Sequence, residues 1–391
     1  MNTIQTGITI LLRSGITGEK LLLPEGFSME AALPVLKNHS VVSLAYEGAV
    51  NCGLDTGSPV MQRMMLASLR LLMAHEKQAR DLESIFVAFQ QEEIPFLPMK
   101  GCNLKKLYPK PELRPMGDAD ILIRVEDYPR IRPVMERLGF TESADTDHSY
   151  HWHTENLEVE LHKNMVRPAE KNFYSYYGTG WQLAETDRGC RYRLSREEEY
   201  AFAFVHLTKH YRSMGIGLRH FVDLYVYRRA WTDLDMDRVC RILGKLDLSE
   251  FHANVMDTLG VWFSGKEETP ATRLITEFVF ASGNWGQLDT YYLTEAAKST
   301  GKHSGLRSVL RALFPQYAVM CRYYSVLTRW AVLLPVFWIV RWFAIVLFRR
   351  KTIRRKLRIL RDMDDDEVRK RREALRAVGL ELETNGSAAS K

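Results

Sequence analysis

The segment Gly117-Asp118-Ala119-Asp120-Ile121-Leu122-Ile123-Arg124-Val125 constrains this chain more than any other. Its alternating, β-branched run predicts a strand over Asp118 to Val125. The two-residue period of a strand then places Asp118 and Asp120 on one face. Two carboxylates about 4 Å apart repel by roughly 4 kcal/mol at an effective dielectric near 20. On a strand otherwise built of Ile, Leu and Val, the fold must set something against that repulsion. A divalent cation does so, and oxygen ligands favour Mg²⁺ or Mn²⁺. A solvated strand start after a glycine turn is the plainer alternative.

Neighbouring segments supply candidate partners for this strand. Leu157-Glu158-Val159-Glu160-Leu161-His162 alternates as well, with Glu158, Glu160 and His162 on one face, and with His148 to His153 it predicts a hairpin around Glu155-Asn156. Ile94 to Met99 reads as a short strand and Gly101 as a helix start. A long helix precedes them, Ser58 to Gln91, with Met65, Leu69, Leu72, His75 and Ala79 as its stripe. Tyr128 to Leu138 is a helix stopped by Gly139. This order implies an α+β chain with a small mixed sheet. Residues 1–92 form a mainly helical N-terminal flank, their first 57 or so in short apolar pieces broken by Gly and Pro. Residues 93–168 form the α/β core and 169–329 a helical domain. A hydrophobic helix with a basic run occupies 330–361, and a charged tail 362–391. Within the helical domain, Arg196 to Tyr211 (capping box Ser195 and Glu198), Leu218 to Trp231, Met236 to Leu246, Glu250 to Trp262, Pro270 to Phe280 behind Thr269, and Leu306 to Leu313 are the predicted helices.

Charge narrows the function classes. The chain carries 54 Lys+Arg against 48 Asp+Glu, a formal +6. Arg349 to Lys391 holds 14 basic and 8 acidic residues, so the whole excess lies in the tail. A neutral body argues against a nucleic-acid substrate. The five cysteines are scattered, with no CxxC pair, which argues against a disulfide framework or zinc ribbon and for a cytoplasmic setting.

Met99-Lys100-Gly101-Cys102-Asn103 sits at a predicted strand-to-helix junction, where helix N–H groups and dipole suit phosphate. Alternatively, Gly101 simply makes the turn. Taken in order, Lys100-Gly101, Tyr108, Arg114, Asp118-x-Asp120-Ile121-Leu122 and Val159-Glu160-Leu161-His162 resemble the nucleotidyltransferase superfamily of the DNA polymerase β type. The chain is most similar to its group of uncharacterised nucleotidyltransferases, often found beside bacterial polysaccharide genes. His206-x-x-Lys209-His210, Leu218-Arg219 with Asp223-Leu224, Gly283-Asn284-Trp285-Gly286 and the apolar C-terminal segment extend the resemblance over about Ala31 to Arg350. The superfamily commonly has Gly-Gly or Gly-Ser where this chain has Gly101-Cys102.

The resemblance implies Mg²⁺ (or Mn²⁺) held by Asp118, Asp120 and Glu160, which would also be the catalytic residues. It implies nucleotide contacts from Lys100, Gly101, Cys102, Arg114, Gly117, His162, His206, Lys209, His210 and Asp223. The donor would be a nucleoside triphosphate. The acceptor would be a sugar, a lipid-linked glycan, a small molecule or a protein. A non-catalytic binding or scaffold protein on the same fold, and a metal-dependent phosphoester hydrolase, are the competing readings.

Three further features stand beside this set. His148, His151, His153 and His162 are a candidate zinc set, though places on the faces of the hairpin, near the acceptor pocket, account for them more simply. Arg219 and Asp223, four residues apart, suggest a helix ion pair. Trp330 to Phe348 is 19 residues with the single charge Arg341. The eight basic residues of Arg349 to Arg361 suit an anionic cytoplasmic face, so an interfacial helix is preferred to a full span, with a buried helix of the C-terminal domain as the equal alternative.

Overall fold

Strand β2 (Asp118–Ile123) lies inside a seven-stranded mixed sheet of order β3-β4-β5-β2-β1-β7-β6. It runs antiparallel to β1 (Phe96–Pro98) and parallel to β5 (Glu158–His162), and β5 closes the predicted hairpin with β4 (Ser149–His153). The outer strands are β3 (Thr141–Asp145), β6 (Glu185–Arg188) and β7 (Arg191–Arg193). The computed structural model describes residues 1–283, 290, 293–294, 314–315, 317–324, 326–348 and 365–381. Asn284-Trp285-Gly286, the predicted helix Leu306 to Leu313, the basic run Arg349 to Arg361 and the end of the tail lie outside the described residues.

Twelve labelled helices precede position 283: α1 (Thr3–Thr17), α2 (Met29–Asn38), α3 (Val42–Asn51), α4 (Pro59–Gln91), α5 (Gly101–Leu104), α6 (Tyr128–Arg137), α7 (Lys171–Tyr177), α8 (Arg196–Arg212), α9 (Leu218–Ala230), α10 (Met236–Lys245), α11 (Ser249–Ser264) and α12 (Pro270–Ser282). One compact unit comprises Met1–Tyr211 with Ile216–Trp285; a second comprises Arg212–Gly215 with Gly286–Lys391.

The sheet has two unlike faces. Ala119, Ile121, Ile123, Val159, Leu161, Tyr150 and Trp152 join a core with Leu82, Ile85, Phe86 and Phe89 of α4 and Ile131, Val134 and Met135 of α6. On β2 and β5 these are the odd-numbered positions, so the even-numbered acids take the opposite face. The core face of α4 differs from the expected stripe. Its C-terminal half packs through Leu82, Ile85 and Phe89, whereas Met65 and Leu69 are exposed.

Two local readings are corrected. The N-terminal pieces are not broken by their glycines: α1 runs 15 residues behind an Asn2–Gln5 capping box. Gly15 and Gly48 let α1 and α3 meet at backbone distance, since a Cβ at Gly48 would stand 1.9 Å from the Leu11 carbonyl oxygen. The region after Pro168 is not wholly helical either. Strands β6 and β7, mostly charged and partly or fully exposed, extend the sheet through Gly189 in a positive-φ turn, and the Phe96 N–H donates to the Cys190 carbonyl.

In the second unit, the helix Leu334–Phe348 covers 15 residues, about 22 Å at 1.5 Å per residue. Among the described residues, no helix is long and apolar enough to cross a membrane. Trp338 and Trp342 pack edge-on to Phe314, and Val336, Ile339, Val340 and Phe343 are exposed.

Candidate active site

The register of β2 and β5 builds the site. Asp118 stands opposite Glu158, Asp120 opposite Glu160, and Leu122 opposite His162, while His151 of β4 faces Glu160 from the other side. Asp120 is buried and its Oδ1 accepts two charge-assisted bonds, from Lys100 Nζ at 2.7 Å and from His162 Nε2 at 2.7 Å. Glu160 Oε2 lies 3.4 Å from the same His162 nitrogen, and its Oε1 lies 3.4 Å from His151 Nδ1. Behind His162, His148 Nε2 is 3.1 Å from His162 Nδ1. The chain Asp120-His162-His148 fixes the imidazole between its neighbours.

Electrostatics follow from this crowding. Burial opposes ionisation of Asp120, but Lys100 and His162 outweigh it and hold its carboxyl well below the usual range. Burial also opposes the Lys100 charge, yet Asp120, Asp118 and Glu160 together keep that ammonium protonated above its ordinary value. Asp118, at the exposed strand start, is pushed up by burial of its carboxyl and by Asp120 beside it. Burial lowers His148 to about 3, helped by His162, so it is a neutral imidazole at physiological pH.

Lys100 pays for its position in backbone strain. It has φ 48° and ψ −119°, a region that L-residues with a side chain rarely occupy. The turn's strain therefore sits on Lys100, not on Gly101. Gly101 is needed for a different reason: a Cβ there would stand 2.8 Å from Arg114 Nη1 and 3.3 Å from Met116.

The expected phosphate cradle is modest. Helix α5 is a single turn, and the N–H groups of Cys102, Asn103 and Leu104 already bond to the Met99 and Lys100 carbonyls. The Cys102 thiol is buried, donates to the Asp120 carbonyl across 3.6 Å, and is pushed up to about 12 by burial and by Asp120. Arg114 and Asp223 are likewise engaged inside the fold. Arg114 Nε and Nη2 donate to the two Asp223 oxygens at 2.9 Å each, and Tyr108 adds its hydroxyl at 2.6 Å. Asp223 thus takes Arg114 rather than Arg219, which donates to the Pro115 carbonyl. Gly117 is exposed immediately before Asp118.

His206 and His210 lie one turn apart on α8, with ring centroids 4.5 Å apart, and Lys209 pairs with Glu170 at 3.0 Å. Burial first, and then the Lys100 charge, lower the protonation of both histidines, so Lys100 acts electrostatically on this face of α8. Spacing gave no notice of His220, whose ring comes within 5.8 Å of His206 and 5.6 Å of His210 from the first turn of α9. The hairpin histidines do not converge as a zinc set: His148 and His162 meet, whereas His151 turns to Glu160 and Ser149, and His153 is exposed.

The residues present suit a divalent cation. Oxygen or nitrogen atoms of Asp120, Glu160 and His162 lie within 4.8 Å of one another, Asp118 shares their face, and Lys100 is one positive charge against three carboxylates. Asp118, Asp120 and Glu160 are thus gathered on two parallel strands with Lys100 and His162, while Cys102, Arg114 and Asp223 are bonded to other groups of the fold. Neither the curated proteins nor the solved structures compared with this chain give a match. The model of one family, described as uncharacterised nucleotidyltransferase, matches residues 25–264, more than half of the chain and all of the site just described. The chain belongs to that nucleotidyltransferase family, for which a nucleoside triphosphate is the implied substrate.

Proposed function

We propose that this protein transfers a nucleoside monophosphate from a nucleoside triphosphate to an acceptor hydroxyl, in a reaction dependent on Mg²⁺ or Mn²⁺. The observation that carries this reading is the β2–β5 register, which sets Asp120 beside Glu160 with Asp118 on the same face and Lys100 bonded to Asp120. Asp118, Asp120 and Glu160 would hold the cation, whose charge would stabilise the entering and leaving phosphate oxygens. The acceptor oxygen bonds to the α-phosphorus as the bond to the bridging oxygen breaks and pyrophosphate leaves. Glu160, whose contacts among the described residues are two of 3.4 Å to His151 and His162, would take the acceptor proton. Lys100 offers a point charge to phosphate, and His162 keeps the Asp120 oxygen oriented. His206, Lys209 and His210 border the triphosphate side, near Lys100.

The test is transfer of α-labelled nucleotide with Mg²⁺ present. Wild type should label an acceptor pool and release pyrophosphate, and Asp118→Ala with Asp120→Ala should lose more than about 100-fold, since even outer-shell ligands are worth 10–100-fold. Equal incorporation by both proteins would sink the reading. A non-catalytic nucleotide-binding protein is favoured by two observations, the occupied N–H groups of α5 and the inward Cys102 thiol. Nucleotide binding by calorimetry without pyrophosphate release would select it.

The setting we propose is the cytoplasmic face of a membrane. Val336, Ile339, Val340 and Phe343 form an exposed stripe at helical spacing, followed in sequence by the basic run. Deleting Arg349 to Arg361 should release the protein from anionic vesicles; unchanged vesicle binding would refute this placement.

A further inference from the structure

We propose that His206, His210 and His220 form a site for a transition-metal cation of the Zn²⁺ class, separate in its donors from the acidic cluster. Helix geometry makes the first two neighbours, four residues apart on one face of α8. The first turn of α9 brings the third ring against them, with centroids 5.8 and 5.6 Å from the other two. One ring nitrogen from each histidine lies within 4.8 Å of the others. A tetrahedral ion bonded at 2.0–2.1 Å needs its nitrogens about 3.4 Å apart, so small side-chain rotations close the set.

Donor chemistry selects the ion. Three imidazoles with no carboxylate are poor ligands for Mg²⁺ or Ca²⁺ and good ones for Zn²⁺, Co²⁺ or Ni²⁺. Burial first, and then the surrounding cations, hold all three histidines below their ordinary range, His210 at about 4. Each is therefore a neutral imidazole at physiological pH, the form that binds metal without displacing a proton.

The surroundings sharpen this choice. Lys100, Lys209, Arg219 and Arg114 all act electrostatically on the cluster, so bare charge disfavours a cation. Three of the four are balanced, Lys100 by Asp120, Lys209 by Glu170 and Arg114 by Asp223, and Arg219 donates to the Pro115 carbonyl. Only an ion with strong bonds to nitrogen gains enough to occupy such a place, which excludes Mg²⁺ a second time. Three protein ligands also leave a coordination position for water or a substrate oxygen.

The experiment uses the full chain, stripped of metal by a chelator and titrated with Co²⁺ in the absence of nucleotide. One equivalent should produce the visible ligand-field band of low-coordinate Co²⁺ and be displaced by Zn²⁺ but not by Mg²⁺, apart from any Co²⁺ that Mg²⁺ displaces from the acidic cluster. His206→Gln and His220→Gln should each weaken the uptake that gives this band by about 100-fold or more, and Glu160→Gln should not. A low-coordinate Co²⁺ band that survives the His206→Gln/His220→Gln pair, or the absence of that band in wild type, would overturn the proposal; Co²⁺ held by the acidic cluster is marked by its loss in Glu160→Gln. Should the variants fail to fold, hyperfine-shifted imidazole N–H resonances of the Co²⁺ protein count the histidine ligands directly. Three support the site and fewer reject it. With no nucleotide present, failure here leaves the transfer reading untouched, and failure of transfer leaves this titration interpretable.

Discussion

Two buried carboxylates in this molecule are each paired with a cation, and they are built for different ends. Asp223 meets the Arg114 guanidinium edge-on through two bonds and takes a third from Tyr108, so both its oxygens are satisfied. Asp120 receives Lys100 and His162 on a single oxygen, with Glu160 and Asp118 crowding the same face. The first arrangement is electrically closed: a planar, bidentate pair ties α9 to the segment before β2. The second is open. It has more negative charge than its one lysine neutralises, and it is reached from a strained backbone. A closed pair holds the fold; an open one keeps a demand that a substrate or ion can meet.

The largest effect should come from breaking the closed pair. Arg114→Leu leaves Asp223 buried and uncompensated, which costs about 3–5 kcal/mol. Asp118→Ala removes a repelling charge from the strand start and should move stability by no more than about 1 kcal/mol. Urea midpoints of the two variants check this, and a loss at Asp118 as large as that at Arg114 would erase the distinction.

Activity should divide the other way. Glu160→Gln should lower transfer by more than about 100-fold, equivalent to roughly 2.7 kcal/mol of barrier. Asp223→Asn should lower the folded fraction but leave turnover per folded molecule within about threefold. Single-turnover rates normalised to folded protein would separate the two. A collapse of turnover in folded Asp223→Asn would make the closed pair part of the chemistry after all.

Much of the open site was legible because its pattern is local. Asp118 with Asp120 and Glu158 with Glu160 each obey the period of a strand, and the parallel pairing of β2 with β5 then sets Asp120 beside Glu160. The long helix, the hairpin and the stop at Gly139 are local for the same reason. What escaped is long-range or unpatterned. Arg114 and Asp223 are 109 residues apart, so neither announces the other, and the nearer Arg219 attracts the assignment. The strain at Lys100 is a backbone property that its side chain does not advertise. Strands β6 and β7 carry charge where alternation would mark a strand, because they leave much of their surface to solvent. Helix α1 was hidden by glycines that serve close packing with α3 rather than chain reversal.

Acid should loosen the open region through its histidine. His148 has a folded value of about 3, set by burial and by His162, against an unfolded value near 6.5. The unfolded chain therefore binds the proton first. Stability is full above about pH 6.5 and falls as pH drops, at up to about 1.4 kcal/mol per unit for this histidine, until its folded value is passed. The depressed Asp120 carboxyl adds a loss of the same sign at lower pH, below its unfolded value near 3.9. The His148→Asn variant should have a shallower stability profile between pH 6.5 and 4 by about one proton. An unchanged slope would mean that His148 is already protonated in the folded protein.

The smallest effect isolates the strain itself. Both Lys100→Ala and Lys100→Gly remove the ammonium from Asp120 and should impair transfer alike. They differ only in what they ask of the backbone. Alanine keeps a Cβ at φ 48°, ψ −119°, whereas glycine occupies that region freely. The glycine variant should thus be the more stable of the two by about 1 kcal/mol, a little less if the unfolded chain gains freedom at the same position. If the two variants unfold at the same denaturant concentration, the turn has relaxed around the smaller side chain. The positive φ would then be a consequence of the Lys100–Asp120 bond rather than its cause. A clear gap would mean that the fold imposes the conformation whether or not the bond forms, and that the lysine is delivered to Asp120 by the backbone.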